Sequence, residues 1–401
     1  MSHLKKCTVG PYKNCVEIKS GELRLVVTTD VGPRIIGCFI GEKSKFNHFA
    51  VLPPTPFEAS DNGFALYGGH RIWHSPEALP RTYEPDNVKV DYFHHDDMHI
   101  FTTKCFKETG IVKQLAIRVL PGSMVEVSNT IFNAGNWEIE LAPWTLALMA
   151  PGGKCIMPYA GAPDDSPYAP NATLNLWPYT NIKDKRLAIG KEYIIVSHDP
   201  KVEAPLKIGC NNTQAWVAYV NNNQALIKQF CYDFDGRYPD MGCSSECYAN
   251  NLFTEMEALG PLERLKPGQA TTLVEYWQPL DNLPEIKTEK DVTNHILCNM
   301  IDLDTDDDEC GEDECCCGHH HHAWDDDEED DGFPWESFED EDEEDEEDEE
   351  FPFANLTDED MHPFAGAKEE EVIDVTPEKP AKKKAKAAKK NDKKKSKKSG
   401  K

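Results

Sequence analysis

The sequence predicts an all-β fold, a large antiparallel β-sandwich over residues 1–301, and three observations predict it. Short β-branched and aliphatic runs recur along this part of the chain, turn chemistry of Gly, Pro and Asn separates them, and helical periodicity is confined to one segment near residue 288. Two sheets that bury their inner faces against each other satisfy such a pattern, and function then falls to the connecting loops.

The runs justify themselves in order. Residues 16–19, 23–28 (LRLVVT) and 34–40 (RIIGCFI) are bounded by Ser20-Gly21, Gly32-Pro33 and Gly41, as antiparallel strands are. Residues 111–120 (IVKQLAIRVL) end at Pro121-Gly122, and residues 124–132 (MVEVSNTIF) alternate apolar and polar, so the two predict a hairpin. Further strands are expected at 139–149, 193–196, 215–220, 225–232, 246–253 and 271–278. The one helix starts at Thr288, where a Thr cap and early acids precede Val292, Ile296 and Met300 at four-residue spacing.

Charge divides the chain. Residues 302–361 hold 32 Asp and Glu and no Lys or Arg, and the end from Thr376 carries 13 Lys. The net charge of -30 is therefore concentrated in the tail, which leaves residues 1–301 near -6, the balance of an ordinary soluble domain. The organisation expected is a sandwich domain at 1–301, an acidic low-complexity disordered tail at 302–375 with a Cys/His tract, and a Lys-rich disordered end at 376–401. No run reaches the roughly 18 apolar residues of a membrane span, and the first ten residues have no apolar stretch, so a cytoplasmic protein is expected. The cysteines scattered through the body suit a reducing compartment, and no disulfide is expected.

Residues 66–85 (LYGGHRIWHSPEALPRTYEP) concentrate two histidines, two arginines and two glutamates beside three aromatics. Buried ionisable groups cost several kcal/mol unless paired, so the stretch reads as the wall of a site.

These residues also carry a resemblance. GELRLVVTTDVGPRIIGCFI near the start, GGHRIWHSPEALPRTYEPDN, APWTLALMAPGG, and TEMEALGPLERLKPGQATTLVEYW at the end together resemble the galactose-mutarotase-like superfamily. More narrowly, they resemble an uncharacterised branch with a GGHR-x-W-x-x-PE segment, and the similarity spans roughly residues 10–280. The resemblance implies a β-supersandwich with a sugar-sized cleft on its concave sheet. It also implies a carbohydrate-active protein, with aldose epimerisation by acid and base groups as the reaction and non-catalytic carbohydrate binding as the alternative. In aldose 1-epimerases an acid histidine follows an Asn turn and a Pro-Trp strand; here Pro143, Trp144, Thr145, Leu146 and Ala147 occupy that stretch without one. The departure removes from that position the histidine that donates the proton in ordinary mutarotation.

The site expected from this reading has His70 as acid or hydroxyl donor, Glu77 as base and Arg71 for an anionic or hydroxyl-rich edge. Trp73 is expected as a stacking face, with His74, Trp144 and Arg237 as further substrate contacts. The stretch is expected on a loop leading into the cleft, and the competing reading makes Arg71 and Glu77 a structural ion pair across that long loop and puts Trp73 and Trp144 in the core. Glu255 and Glu257 sit where true mutarotases supply a late-chain base; one is expected to face each way, and Glu255 is favoured for the cleft.

Zinc at His70 and His74 is not expected, because Pro76 and the glycines argue against the helix that HxxxH needs. HHDDMH at 94–99 reads as a solvated hairpin loop, with a cation between loop and cleft as the alternative. No GxGxxG, GxxxxGK[ST] or GxSxG is present, and no cofactor is expected. In the tail, Cys315, Cys316, Cys317, His319, His320, His321 and His322 form a loose tract of soft ligands for a divalent transition metal. The partner expected is a small carbohydrate, and the Lys-rich end is expected to meet polyanions or the chain's own acidic block without sequence preference.

Overall fold

A computed structural model describes residues 6–56, 62–159, 161 and 168–303. The tail tract of Cys315, Cys316, Cys317 and His319 to His322, the acidic block and the Lys-rich end lie outside the described residues.

The strands follow one another as β1 (Lys6–Val9), β2 (Tyr12–Ser20), β3 (Leu23–Thr28), β4 (Arg34–Ile40), β5 (Val51–Pro56), β6 (Ala65–Ser75) and β7 (Asp91–His95). Next come β8 (Met98–Thr102), β9 (Ile111–Val119), β10 (Val125–Asn133), β11 (Ile139–Met149), β12 (Lys154–Pro158), β13 (Leu174–Leu176), β14 (Leu187–Ile189) and β15 (Tyr193–Ser197). The rest are β16 (Leu206–Cys210), β17 (Trp216–Asn221), β18 (Gln224–Phe230), β19 (Ser245–Ala249), β20 (Thr254–Leu259), β21 (Glu263–Leu265) and β22 (Ala270–Leu280). Helix α1 (Glu289–His295) and a 3-10 turn (Leu297–Asn299) follow.

They form two antiparallel sheets. The first runs β1-β2-β3-β4-β6-β11-β20-β19-β16-β13, with β5 on β6 and β21 on β11; the second runs β14-β15-β12-β17-β18-β22-β10-β9-β8-β7. Leu25, Val27, Ile35, Ile72 and Met256 of the first sheet share one apolar core with Leu115, Ile117, Val127, Val217 and Leu226 of the second. That core is the inside of the sandwich, and the all-β expectation holds.

Several strands fall where the runs predicted: β3, β4 and β11 match to the residue, and β9 pairs with β10 as the expected hairpin. The helix starts after a Thr288 cap whose side chain accepts from the Asp291 amide, with Asp291 reaching back to complete a capping box. Its Val292 and Ile296, with Ile286, pack on Ile156, Tyr193, Trp216 and Ile227 and cover the outer face of the second sheet.

Two expectations are corrected. The run 246–253 is not one strand, because the chain turns after Ala249 and returns as β20. More consequentially, residues 65–75 are not a loop but β6, paired with β11 along seven positions from Gly69 to Ser75 in the middle of the first sheet. Gly68 and Gly69 make this possible. Their φ values are +86° and +70°, and a Cβ would stand 2.0 Å from the Ala50 carbonyl oxygen at Gly68 and 2.2 Å from that of Ile35 at Gly69. The glycine pair therefore lets β6 pass close to its neighbours before the polar residues begin.

Candidate functional site

Alternation along β6 sends consecutive residues to opposite sides of the first sheet. His70 and Ile72 point inward, and Arg71 and Trp73 point to the outer face. Register then assembles that face. Arg71 stands beside Arg34 on one side and Leu146 on the other; Leu146 stands beside Glu257, Glu257 beside Glu246, and Glu246 beside Gly209. The next row runs Gly69, Leu148, Glu255, Tyr248, Lys207.

Two cations and three carboxylates thus meet on one surface. Arg71 Nη2 lies 3.5 Å from Glu255 Oε1, and its guanidinium stands 3.8 Å over the Trp73 ring. Lys207 Nζ is 2.7 Å from Glu246 and 3.0 Å from Glu257, and the Trp144 Nε1–H donates to Glu257 at 2.8 Å. Burial opposes the Lys207 charge, but Glu246 and Glu257 outweigh it and hold the ammonium protonated. Arg71 Nε and Nη1 and Glu257 Oε1 are buried and have no hydrogen-bond partner among the described residues.

Glu255 differs from its neighbours. It is 9% exposed, and burial together with the negative charge of Glu257 raises its carboxyl to about 7, against the opposing pull of Arg71 and Lys207. Tyr248 faces Tyr179 edge-on at 6.5 Å, and Tyr179 is 45% exposed. Beyond Lys207, Trp177 holds its ring 4.7 Å from Nζ. Glu77, exposed on the loop after β6, accepts a hydrogen bond from the Tyr83 hydroxyl, and its charge acts on Glu255.

The placement of the expected residues follows. Arg71 and Glu255 come together, with Glu77 nearby. Glu255 and Glu257 do not face opposite ways; two residues apart on β20, they share a face, as a period of two requires. The ion pair between Arg71 and Glu77 in the competing reading is replaced by Arg71–Glu255. Trp73 and Trp144 are 5% and 2% exposed and pack with Phe64, Tyr83, Leu146 and Leu259, so neither offers an open stacking face. Arg237 is on the surface, 2.8 Å from Glu140 and apart from Arg71 and Glu255 in these contacts.

His70 lies between the sheets, fully buried, with Nε2 at 2.9 Å from Asn129 Oδ1 and 4.0 Å from Glu275. Burial and the nearby Lys228 charge lower its pKa to about 4. His74 is likewise buried, and burial pushes its pKa well below the ordinary range.

Sequence reasoning missed Lys207, Glu246, Tyr248 and Tyr179. A signal existed for two of them: alternation in SECYA puts Glu246 and Tyr248 on one side, and the hairpin to β20 sets them against Glu257 and Glu255. No group of three or more His, Cys, Asp or Glu able to hold a metal occurs among the described residues, and no described helix is long and apolar enough to cross a membrane. A shallow depression of about 330 Å³ among Pro85, Val88, Lys89, Lys104 and Phe106 contains none of the site residues, so chemistry rather than concavity marks the site.

No protein-family model matches the chain, and no curated protein matches it significantly. Among solved structures, a protein from Synechocystis sp. PCC 6803 is 10% identical with a TM-score of 0.43, over 70% of this chain and 99% of its own. A galactose mutarotase-like protein from Lactobacillus casei ATCC 334 is 10% identical with a TM-score of 0.42, over 66% and 100%. A galactose mutarotase related enzyme from Lactobacillus acidophilus is 9% identical with a TM-score of 0.40, over 68% and 100%. Likeness at this level assigns no activity to the chain.

Proposed function

We propose that the outer face of the first sheet binds a sugar or sugar derivative, and that Glu255 is the acid/base group for aldose epimerisation there. One observation carries the reading: a carboxyl raised to about 7 stands at the surface of a buried polar floor whose Arg71 donors and Glu257 acceptor lack partners. A group titrating near neutrality can both take a proton from an anomeric hydroxyl and return one. Hydroxyl groups, each donor and acceptor, suit a floor with both needs unmet. The half-exposed Tyr179 supplies a ring face that Trp73 does not.

A second reading, carbohydrate binding without turnover, is favoured by the direction of the histidines. His70 and His74 both lie on the inner side of β6, so Glu255 has no imidazole from that strand as a proton-transfer partner. The hydroxyl groups close to Glu255 are Tyr248, its register partner, and Tyr83, which donates to Glu77.

Saturation-transfer NMR and polarimetry on a panel of aldoses separate the readings. Accelerated anomer exchange that falls at least about a hundredfold in Glu255→Gln, with saturation transfer retained, is the expected result. Saturation transfer without accelerated exchange leaves binding alone. Absence of transfer from every sugar sinks both.

A further inference from the structure

The hairpin β7–β8 at the edge of the second sheet carries a pair of histidines outside the site described above. His94 stands directly opposite His99 in the register of the hairpin, and their rings are 4.4 Å apart between centroids at an angle of 41°. Side chains directly opposite across an antiparallel pair stand on the same face of the sheet, which brings both imidazoles within reach of one ion.

The surroundings orient the pair. His99 Nδ1 lies 2.9 Å from the Tyr92 hydroxyl, and Tyr92 is itself stacked on Phe101 at 4.7 Å. In the tautomer that donates Nδ1–H to the Tyr92 hydroxyl, His99 presents the Nε2 lone pair, the arrangement that orients metal-bound imidazoles through their second nitrogen. The His94 ring takes no hydrogen bond from the described residues and is half-buried. A two-residue turn at Asp96, where φ is +53°, and Asp97 closes the hairpin and sets the Asp97 charge near His99.

We propose that His94 and His99 form a divalent transition-metal site, suited to zinc, with water completing the coordination. Zinc binds imidazole nitrogen at about 2.0–2.1 Å, so chelation turns the two rings from their 41° tilt until a nitrogen of each points at one ion. Two protein ligands make an open, exchangeable site rather than a closed structural one. Bound metal would pin the last two strands of the second sheet.

Hydrogen exchange of the amides of residues 92–100 in the full-length chain, with and without zinc chloride, tests this. Zinc taken up by the Cys315 to Cys317 and His319 to His322 tract would confuse a stoichiometry, and it leaves this readout to the hairpin. At zinc tenfold above its dissociation constant the exchange is expected to slow about tenfold, because binding to the closed form alone scales protection by one plus that ratio. His94→Ala and His94→Gln are expected to lose the slowing while keeping the metal-free exchange pattern, and substitution of His319 to His322 by Ala is expected to retain it. Slowing that survives both His94 variants, or no slowing in the parent protein, overturns the proposal.

Discussion

Glu255 and His70 sit on opposite faces of one sheet, and burial drives both toward neutrality with opposite consequences for stability. The Glu255 carboxyl is raised from 4.5 to about 7, so its contribution to stability is complete below pH 4.5 and is lost as pH rises through 7. The His70 pKa is lowered from 6.5 to about 4, so its contribution is complete above pH 6.5 and is lost as pH falls toward 4. Between pH 4.5 and 6.5 the two slopes oppose each other. Glu255→Gln removes one of them, and urea unfolding across this window should then show stability climbing with pH more steeply than in the parent, by up to roughly 3 kcal/mol. Identical slopes would count against a perturbed Glu255. Gly69 is a simpler case: with φ at +70° and Ile35 oxygen 2.2 Å from where a Cβ would be, Gly69→Ala should cost more than about 2 kcal/mol in the same assay.

Strand β6 explains why part of the site was legible and part was not. Its dense polar composition disguised a strand as a loop, because each face mixes apolar with ionisable residues, Ile72 with His70 inside and Trp73 with Arg71 outside, and no apolar alternation survives. His70, Arg71, Trp73 and Glu77 were recognised as unusual from composition, yet their division between two faces needed the pairing of β6 with β4 and β11. Glu255 and Glu257 were misread as facing opposite ways, although residues two apart on any strand share a face and the sequence alone sufficed to place them together. Helix α1 was read from its cap and spacing alone. What the sequence did not suggest is the role of Glu289, whose carboxylate accepts from the backbone amides of Lys191, Glu192 and Tyr193 at 2.8–3.1 Å and ties the helix to the second sheet. Thr288→Ala should cost about 1 kcal/mol, and Glu289→Ala more than that, because three amides lose a charged acceptor together. Amide exchange in residues 289–296 should rise in both; unchanged exchange in Glu289→Ala would show that apolar packing alone holds the helix.

At the scale of the molecule, the sheets are joined by a polar knot as well as by their apolar core. Glu275 of the second sheet is 2.8 Å from Lys228, accepts from Thr145 of the first sheet at 2.5 Å and from Trp277 at 2.8 Å, and stands close to His70. Lys228 and Glu275 are fully buried. Lys228→Met would leave the carboxylate without its charge partner, and denaturant unfolding should show a loss of about 3–5 kcal/mol; the double change with Glu275→Gln should recover much of it. The sequence by itself determined the β class, the position of many strands and the helix, because β-branched runs, turn residues and caps act over a few neighbours. Only the tertiary structure decided that Arg71, Lys207, Glu246 and Glu255 meet, and on which side. Local alternation says that two residues face opposite ways, whereas the covering of one sheet by α1 and the joining of both by a shared core determine which face of the first sheet carries this polar group.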